Sequence, residues 1–199
     1  ITALRDALCN SIASDLTTTA EVQVNPRPTS VLSGTPTTCN GTATNINVVL
    51  TGTSPWTLTY DTDNGTSISS TTITITGGTA GTFYDGINGN TYSTTITVNP
   101  STNSTYSVTA LSDGSCASIA SDLTGIATVT VLPRPTAALS TTPKTTCNGV
   151  ATTLEVSLTG KSPWILTYSG TDGSTLSTTI TGALSTIYTS GSPYTSTIS

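Results

Sequence analysis

Part of this chain is written twice. Residues 26–60, PRPTSVLSGTPTTCNGTATNINVVLTGTSPWTLTY, return at 133–168 as PRPTAALSTTPKTTCNGVATTLEVSLTGKSPWILTY. Setting Lys144 aside as an insertion, 25 of 35 aligned positions are identical. Residues 2–29 and 109–136 match at 19 of 28 positions. The offset is 107 residues, and 108 beyond Lys144. That period is too long for a solenoid unit and has the size of a whole small domain. The sequence therefore reads as a tandem array out of phase with its own ends. Residues 1–28 supply the last strands of one domain and a Pro-rich linker. Residues 29–135 make a complete domain, and 136–199 the front part of a third. Two accounts of that phase stay open: a window on a longer repetitive polypeptide, or a subunit completed by strands of its neighbour.

Each repeat is patterned for strands. Short β-branched runs alternate with polar residues, as in Thr72-Ile73-Thr74-Ile75-Thr76 and Ala127-Thr128-Val129-Thr130-Val131. Turn residues fall between the runs: Asn40-Gly41, Ser54-Pro55, Asp63-Asn64-Gly65, Gly77-Gly78, Asn99-Pro100 and Asp113-Gly114. Strands are expected at 30–33, 44–51, 56–60, 67–76, 92–98, 105–111 and 127–132. The chain holds 50 Thr and 27 Ser. With this periodicity, Thr reads as the solvent face of strands rather than as a mucin-like stalk. Seven strands in about 100 residues, with no helical period, is the pattern of an all-β, immunoglobulin-like sandwich repeated in tandem.

Three aromatics fit that fold. Trp56 and its copy Trp164 open the third strand, where such sandwiches bury an indole between their sheets. Tyr106 opens the sixth, the place of a tyrosine corner. All three read as core packing. The linkers, Val-Asn-Pro-Arg-Pro-Thr and Val-Leu-Pro-Arg-Pro-Thr, carry two prolines in three residues. Proline fixes φ and restricts the residue before it, so the joints should be short, stiff and extended.

The cysteines fall into two classes. Cys39 and Cys147 lie in TTCNG between the first two strands, and Cys9 and Cys116 follow the sixth. Two per repeat reads as disulfides made in an oxidising compartment. Their pairing stays open. Cys39 and Cys116 inside one domain lie roughly 25 Å of strand apart, beyond a disulfide's reach unless the segment 116–125 folds back. The alternative joins neighbouring domains.

Chemistry of other kinds finds little support. The chain has no His, so a His-dependent triad or the usual zinc sites lack their imidazole. No catalytic, cofactor-binding or metal-ligating residue is expected. Five Lys and Arg against ten Asp and Glu argue against nucleic acid. No apolar run approaches the ~18 residues of a membrane-spanning helix. Asp61-Thr62-Asp63-Asn64-Gly65 is only faintly like a calcium loop and reads as a turn, like its counterpart at 169–173. Sequons stand at Asn40, Asn64 and Asn103. Phe83, Tyr84, Tyr92 and Tyr188 are the spare aromatics from which a glycan-binding platform could be built.

The pattern PTxxLS, TxCNGxA, LTGxSPWxLTY, TYSVTALSDGSC and ATVTVxPRP resembles the Ig-like (PKD-like) repeats of giant Bacteroidetes surface proteins. These include the repeat adhesins of gliding flavobacteria, exported by the type IX secretion system. The resemblance covers essentially the whole chain and brings over no catalytic residue. It implies an extracellular, cell-surface rod or adhesive filament, whose partners are neighbouring copies or flanking repeats and surface glycans. The expectation is thus a structural protein and not an enzyme. The competing expectation is a carbohydrate-binding module of a secreted multidomain protein.

Overall fold

A computed structural model describes residues 1–16, 19–78, 81–170, 173–183 and 186–198. The fold is all-β. In chain order the strands are β1 (Ser30–Ser33), β2 (Thr37–Cys39), β3 (Thr44–Leu50), β4 (Gly52–Thr53), β5 (Trp56–Asp63) and β6 (Ile68–Ile75). There follow β7 (Phe83–Tyr84), β8 (Tyr92–Val98), β9 (Ser104–Ser112), β10 (Leu123–Thr124) and β11 (Ala127–Leu132). After the second linker come β12 (Ala137–Leu139), β13 (Leu154–Leu158), β14 (Gly160–Lys161), β15 (Trp164–Ser169), β16 (Thr175–Ile180), β17 (Ile187–Tyr188) and β18 (Tyr194–Ile198). Single 3-10 turns stand at Ala13–Asp15, Ile87–Gly89 and Ala120–Asp122.

Residues 30–132 close a sandwich of two sheets. One has the order β10-β1-β3-β8 and the other β2-β11-β9-β5-β6. Alternation decides which side chains meet between them. In β3, Ile46, Val48 and Leu50 point inward while Asn45 and Asn47 face out. In β5, Trp56, Leu58 and Tyr60 do the same from the opposite sheet. A period of two on each strand leaves one buried face per sheet, and the two faces make a single core. The outer faces are largely hydroxyl. Thr59 and Thr72 share a 2.8 Å cross-strand hydrogen bond between β5 and β6, a pairing worth a few tenths of a kcal/mol or more. A bulge between Thr59 and Tyr60 shifts the register of β5 against β9.

The chain passes from one sheet to the other at Gly125. β10 lies parallel to β1 in the first sheet, and β11 lies parallel to β2 in the second. Gly125 has φ +81°, and a Cβ there would run into the Leu32 carbonyl. Glycine is the residue that meets both conditions.

The 137–198 unit repeats the first part of this architecture. β12-β13-β18 and β15-β16 form its main sheets, with β14-β17 a separate two-stranded pair, over a core of Val156, Leu158, Trp164, Ile180 and Ile198. Residues 1–16 and 19–29 form no regular strand.

Candidate functional site

Each Pro-Arg-Pro joint places an arginine in hydrogen bonds with the complete sandwich. In the first, Pro28 is fully buried and Arg27 reaches out to Asp122. Arg27 Nε donates to Asp122 Oδ2 at 2.7 Å and Nη2 to Oδ1 at 3.4 Å. The planar guanidinium fork suits a carboxylate in this way. Asp122 is positioned by its own 3-10 turn, where Oδ2 also accepts the Ile119 N–H at 3.0 Å. The hydrogen bond from Arg27, and then that from Ile119, hold the Asp122 carboxyl below its usual range.

The second joint has the same Pro-Arg-Pro but a different contact. Arg134 Nε donates to the Asn40 carbonyl at 2.7 Å, and Nη2 lies 3.5 Å from the Gly41 carbonyl oxygen. Both arginines therefore hold the same sandwich. Arg27 ties the joint that precedes it to its β9–β10 loop, and Arg134 ties the joint that follows it to its β2–β3 turn.

Local chemistry repeats between the two units, at the 107 or 108 offset through the SPW motif and at 105 for Gly77 and Gly182. Thr29 N–H donates to Thr51 Oγ1 at 3.0 Å, and Thr136 N–H to Thr159 Oγ1 at 3.0 Å. Trp56 Nε1–H donates to the Thr51 carbonyl at 2.9 Å, and Trp164 Nε1–H to the Thr159 carbonyl at 2.8 Å. Ser54 Oγ accepts the Gly77 N–H at 3.0 Å, and Ser162 Oγ the Gly182 N–H at 2.8 Å. Both Ser-Pro bonds of the SPW motif are cis. The same sequence thus builds the same corner twice.

The aromatics form two equivalent clusters. Tyr92 stacks on Trp56 at 5.3 Å and Tyr84 tilts against it at 5.6 Å. Tyr194 and Tyr188 take the same places around Trp164, at 5.3 and 5.5 Å. Tyr84, Tyr92 and Tyr188 are therefore partly buried supports for the indoles, not a platform of spare rings, and of the four Phe83 alone is exposed. Tyr106 is buried in β9 against Tyr60, with ring centroids 6.1 Å apart, and burial pushes its hydroxyl pKa up.

The disulfide expectation is corrected. Cys9, Cys39, Cys116 and Cys147 are all free thiols. For Cys39 and Cys116, inside one sandwich, the reason lies in strand length. Cys39 ends β2 level with Leu132, beside the start of β9. Cys116 follows the far end of that nine-residue strand, its Sγ 3.6 Å from the Asn25 carbonyl oxygen. At about 3.3 Å per residue the two lie at opposite ends of the sandwich.

The turn at 61–65 spends its polar atoms internally. Gly65 N–H donates to Asp63 Oδ1 at 2.8 Å, and Ser70 Oγ–H bonds to Asp61 Oδ1. Part of its counterpart, residues 171–172, lies outside the described residues. Among the described residues no three or more His, Cys, Asp or Glu side chains gather as a metal site. Asn103, one of the three sequon residues, uses its side-chain oxygen to accept the Val131 N–H at 2.7 Å.

The fold and these contacts define a class: an all-β chain of sandwich units held in sequence by Pro-Arg-Pro joints. Comparison with protein-family models and with curated proteins finds no match. Among the described residues no helix is long and apolar enough to cross a membrane.

Proposed function

We infer that the chain is a length of structural rod, built of Ig-like sandwich repeats and working outside a bacterial cell as an extender or adhesive filament. The observation that carries this is the grip of two Pro-Arg-Pro joints on one sandwich. Arg27 fixes the chain's entry and Arg134 its exit. A unit held at both ends transmits direction to the next, which two loosely linked beads would not do. The low charge and the hydroxyl-covered outer sheet faces suit prolonged exposure. The sequence resemblance to bacterial surface repeats points the same way.

The test is imaging of the native material. Fibres with an axial repeat of roughly 35–45 Å per sandwich are expected, taking strands of 7–10 residues plus loops. Compact particles with no axial repeat would count against the rod.

A further inference from the structure

At the end of the complete sandwich where the second joint leaves, the two sheets part around a hollow of about 290 Å³. Pairing brings its residues together from separate parts of the chain. β5 gives Tyr60 and Thr62, which share a face because side chains alternate along a strand. β9 gives Ser104 and Tyr106, with Tyr106 directly opposite Thr62. The other sheet gives the end of β8 and the loop after it, residues 97–102, and the turn after β5 gives Asn64.

Tyr60 is only 8% exposed, and among the described residues its hydroxyl has no hydrogen-bond partner. A buried tyrosine normally finds one. The oxygen is not sealed in, because the enclosed side-chain oxygen left without a partner is Ser30 Oγ. The Tyr60 hydroxyl therefore opens onto the hollow, beside the Tyr106 ring 6.1 Å away.

The neighbouring side chains keep hydrogen-bonding capacity. Asn64 Oδ1 accepts the Thr66 and Ser67 N–H groups at 2.9 and 2.8 Å, which leaves its NH2 group to donate. Ser104 Oγ donates to the Thr102 carbonyl at 2.9 Å, and Thr97 Oγ1 to Asn45 Oδ1 at 2.9 Å. Each of these hydroxyls can still accept. Past Asn64, Ser101 and Thr102, which it shares, a second hollow of about 410 Å³ continues to Asn40, Asn103 and Pro133. Three asparagines far apart in sequence thus meet along one groove.

Charge narrows the ligand. Among the described residues, none that lines either hollow is charged. The flanking Asp63 and Arg134 are committed to the Gly65 N–H and the Asn40 carbonyl. Nothing here holds a phosphate, a carboxylate or a cation in the way that charged partners do. Hydroxyl and amide groups, by contrast, offer donors and acceptors side by side, which is what adjacent sugar hydroxyls require.

We propose that this groove binds a neutral saccharide, with one sugar ring in the hollow between the sheets and a sugar hydroxyl bonded to the Tyr60 hydroxyl. The inference rests on the adhesive reading and names the chemical class of what is held. Fibres that bind no sugar would remove the site and leave the rod.

The test is an NMR titration of the isotope-labelled full chain. The probes are D-glucose, D-galactose, D-mannose, N-acetyl-D-glucosamine, cellobiose, lactose and chitobiose, with D-glucuronate as the charged comparison. At least one neutral sugar should shift the amides of Thr62, Asn64, Ser101 and Thr102 and saturate in the millimolar range. Glucuronate should bind more weakly than that sugar. Tyr60→Phe keeps the ring and should weaken binding about fivefold, the loss of one hydrogen bond. Its melting temperature should match the parent's, since the hydroxyl has no partner in the fold to lose. No neutral sugar shifting these amides, binding unchanged in Tyr60→Phe, or glucuronate binding more tightly than every neutral sugar would overturn the proposal. So would a Tyr60→Phe chain that melts lower, because the hydroxyl would then already be engaged within the fold.

Discussion

Trp56→Ala is expected to cost the complete sandwich about 3–5 kcal/mol, the usual range for deleting a buried indole. The side chain is 0% exposed and touches both halves of the fold. Its ring carries Tyr84 and Tyr92, and its N–H satisfies the Thr51 carbonyl. Removal leaves a cavity, two unsupported tyrosines and an unpaired carbonyl. A domain of this size has a total stability of about 5–15 kcal/mol, so the loss is a large share of the whole. The melting temperature should fall by roughly 15–30 °C, measured by calorimetry on the full chain. Trp164→Ala should change the melting profile less, because the core around it is smaller and open on one side. A Trp56→Ala chain melting within a few degrees of the parent would show that the indole does not bridge the sheets.

The second large effect is expected from a loop carboxylate. Asp113 accepts three backbone N–H groups: Thr53 at Oδ2, and Ser115 and Cys116 at Oδ1, each at 2.8 Å. These bonds stitch the β9–β10 loop over β4 at the end of the sandwich that receives the first joint. Gly52 makes the seat possible. It has φ +104°, and a Cβ there would stand 2.7 Å from Asp113 Oδ2. Asp113→Ala leaves three donors to find water and should cost about 3 kcal/mol, since hydrogen bonds to charged acceptors are the stronger ones. Asp113→Asn keeps an acceptor oxygen and should cost about 1 kcal/mol. Urea unfolding of the three chains, fitted with a common m-value, gives both numbers. Equal losses in the two variants would place the cost in packing and not in the hydrogen bonds.

Much of this fold was legible in the sequence because alternation is a direct image of burial. The expected strands 30–33, 92–98 and 127–132 match β1, β8 and β11 to the residue. β5 runs three residues longer than its expected 56–60, because Asp61, Thr62 and Asp63 continue the pairing with β6 where alternation of apolar residues has stopped. β2, β4, β7 and β10 went unseen. They have two or three residues each, too few to show a period, and exist through their partners. The aromatics around the indoles were misread for a related reason. Composition shows that Tyr84 and Tyr92 are present, but only the β4–β7 and β3–β8 pairings turn them onto Trp56. The cysteines failed on distance: a compartment argument says whether disulfides are allowed, and strand length decides whether two thiols meet. Arg27 with Asp122 was invisible because 95 residues separate the pair.

Hydrogen exchange on the full chain probes the closed sandwich most directly. Backbone amides in β3, β5, β8, β9 and β11 should exchange together at one slow, global rate, as parts of a single cooperative body. Those of β13, β15 and β18, whose unit lacks the covering strands, should exchange orders of magnitude faster. Equal protection across the two units, or β9 and β11 exchanging independently of β3 and β5, would contradict the account.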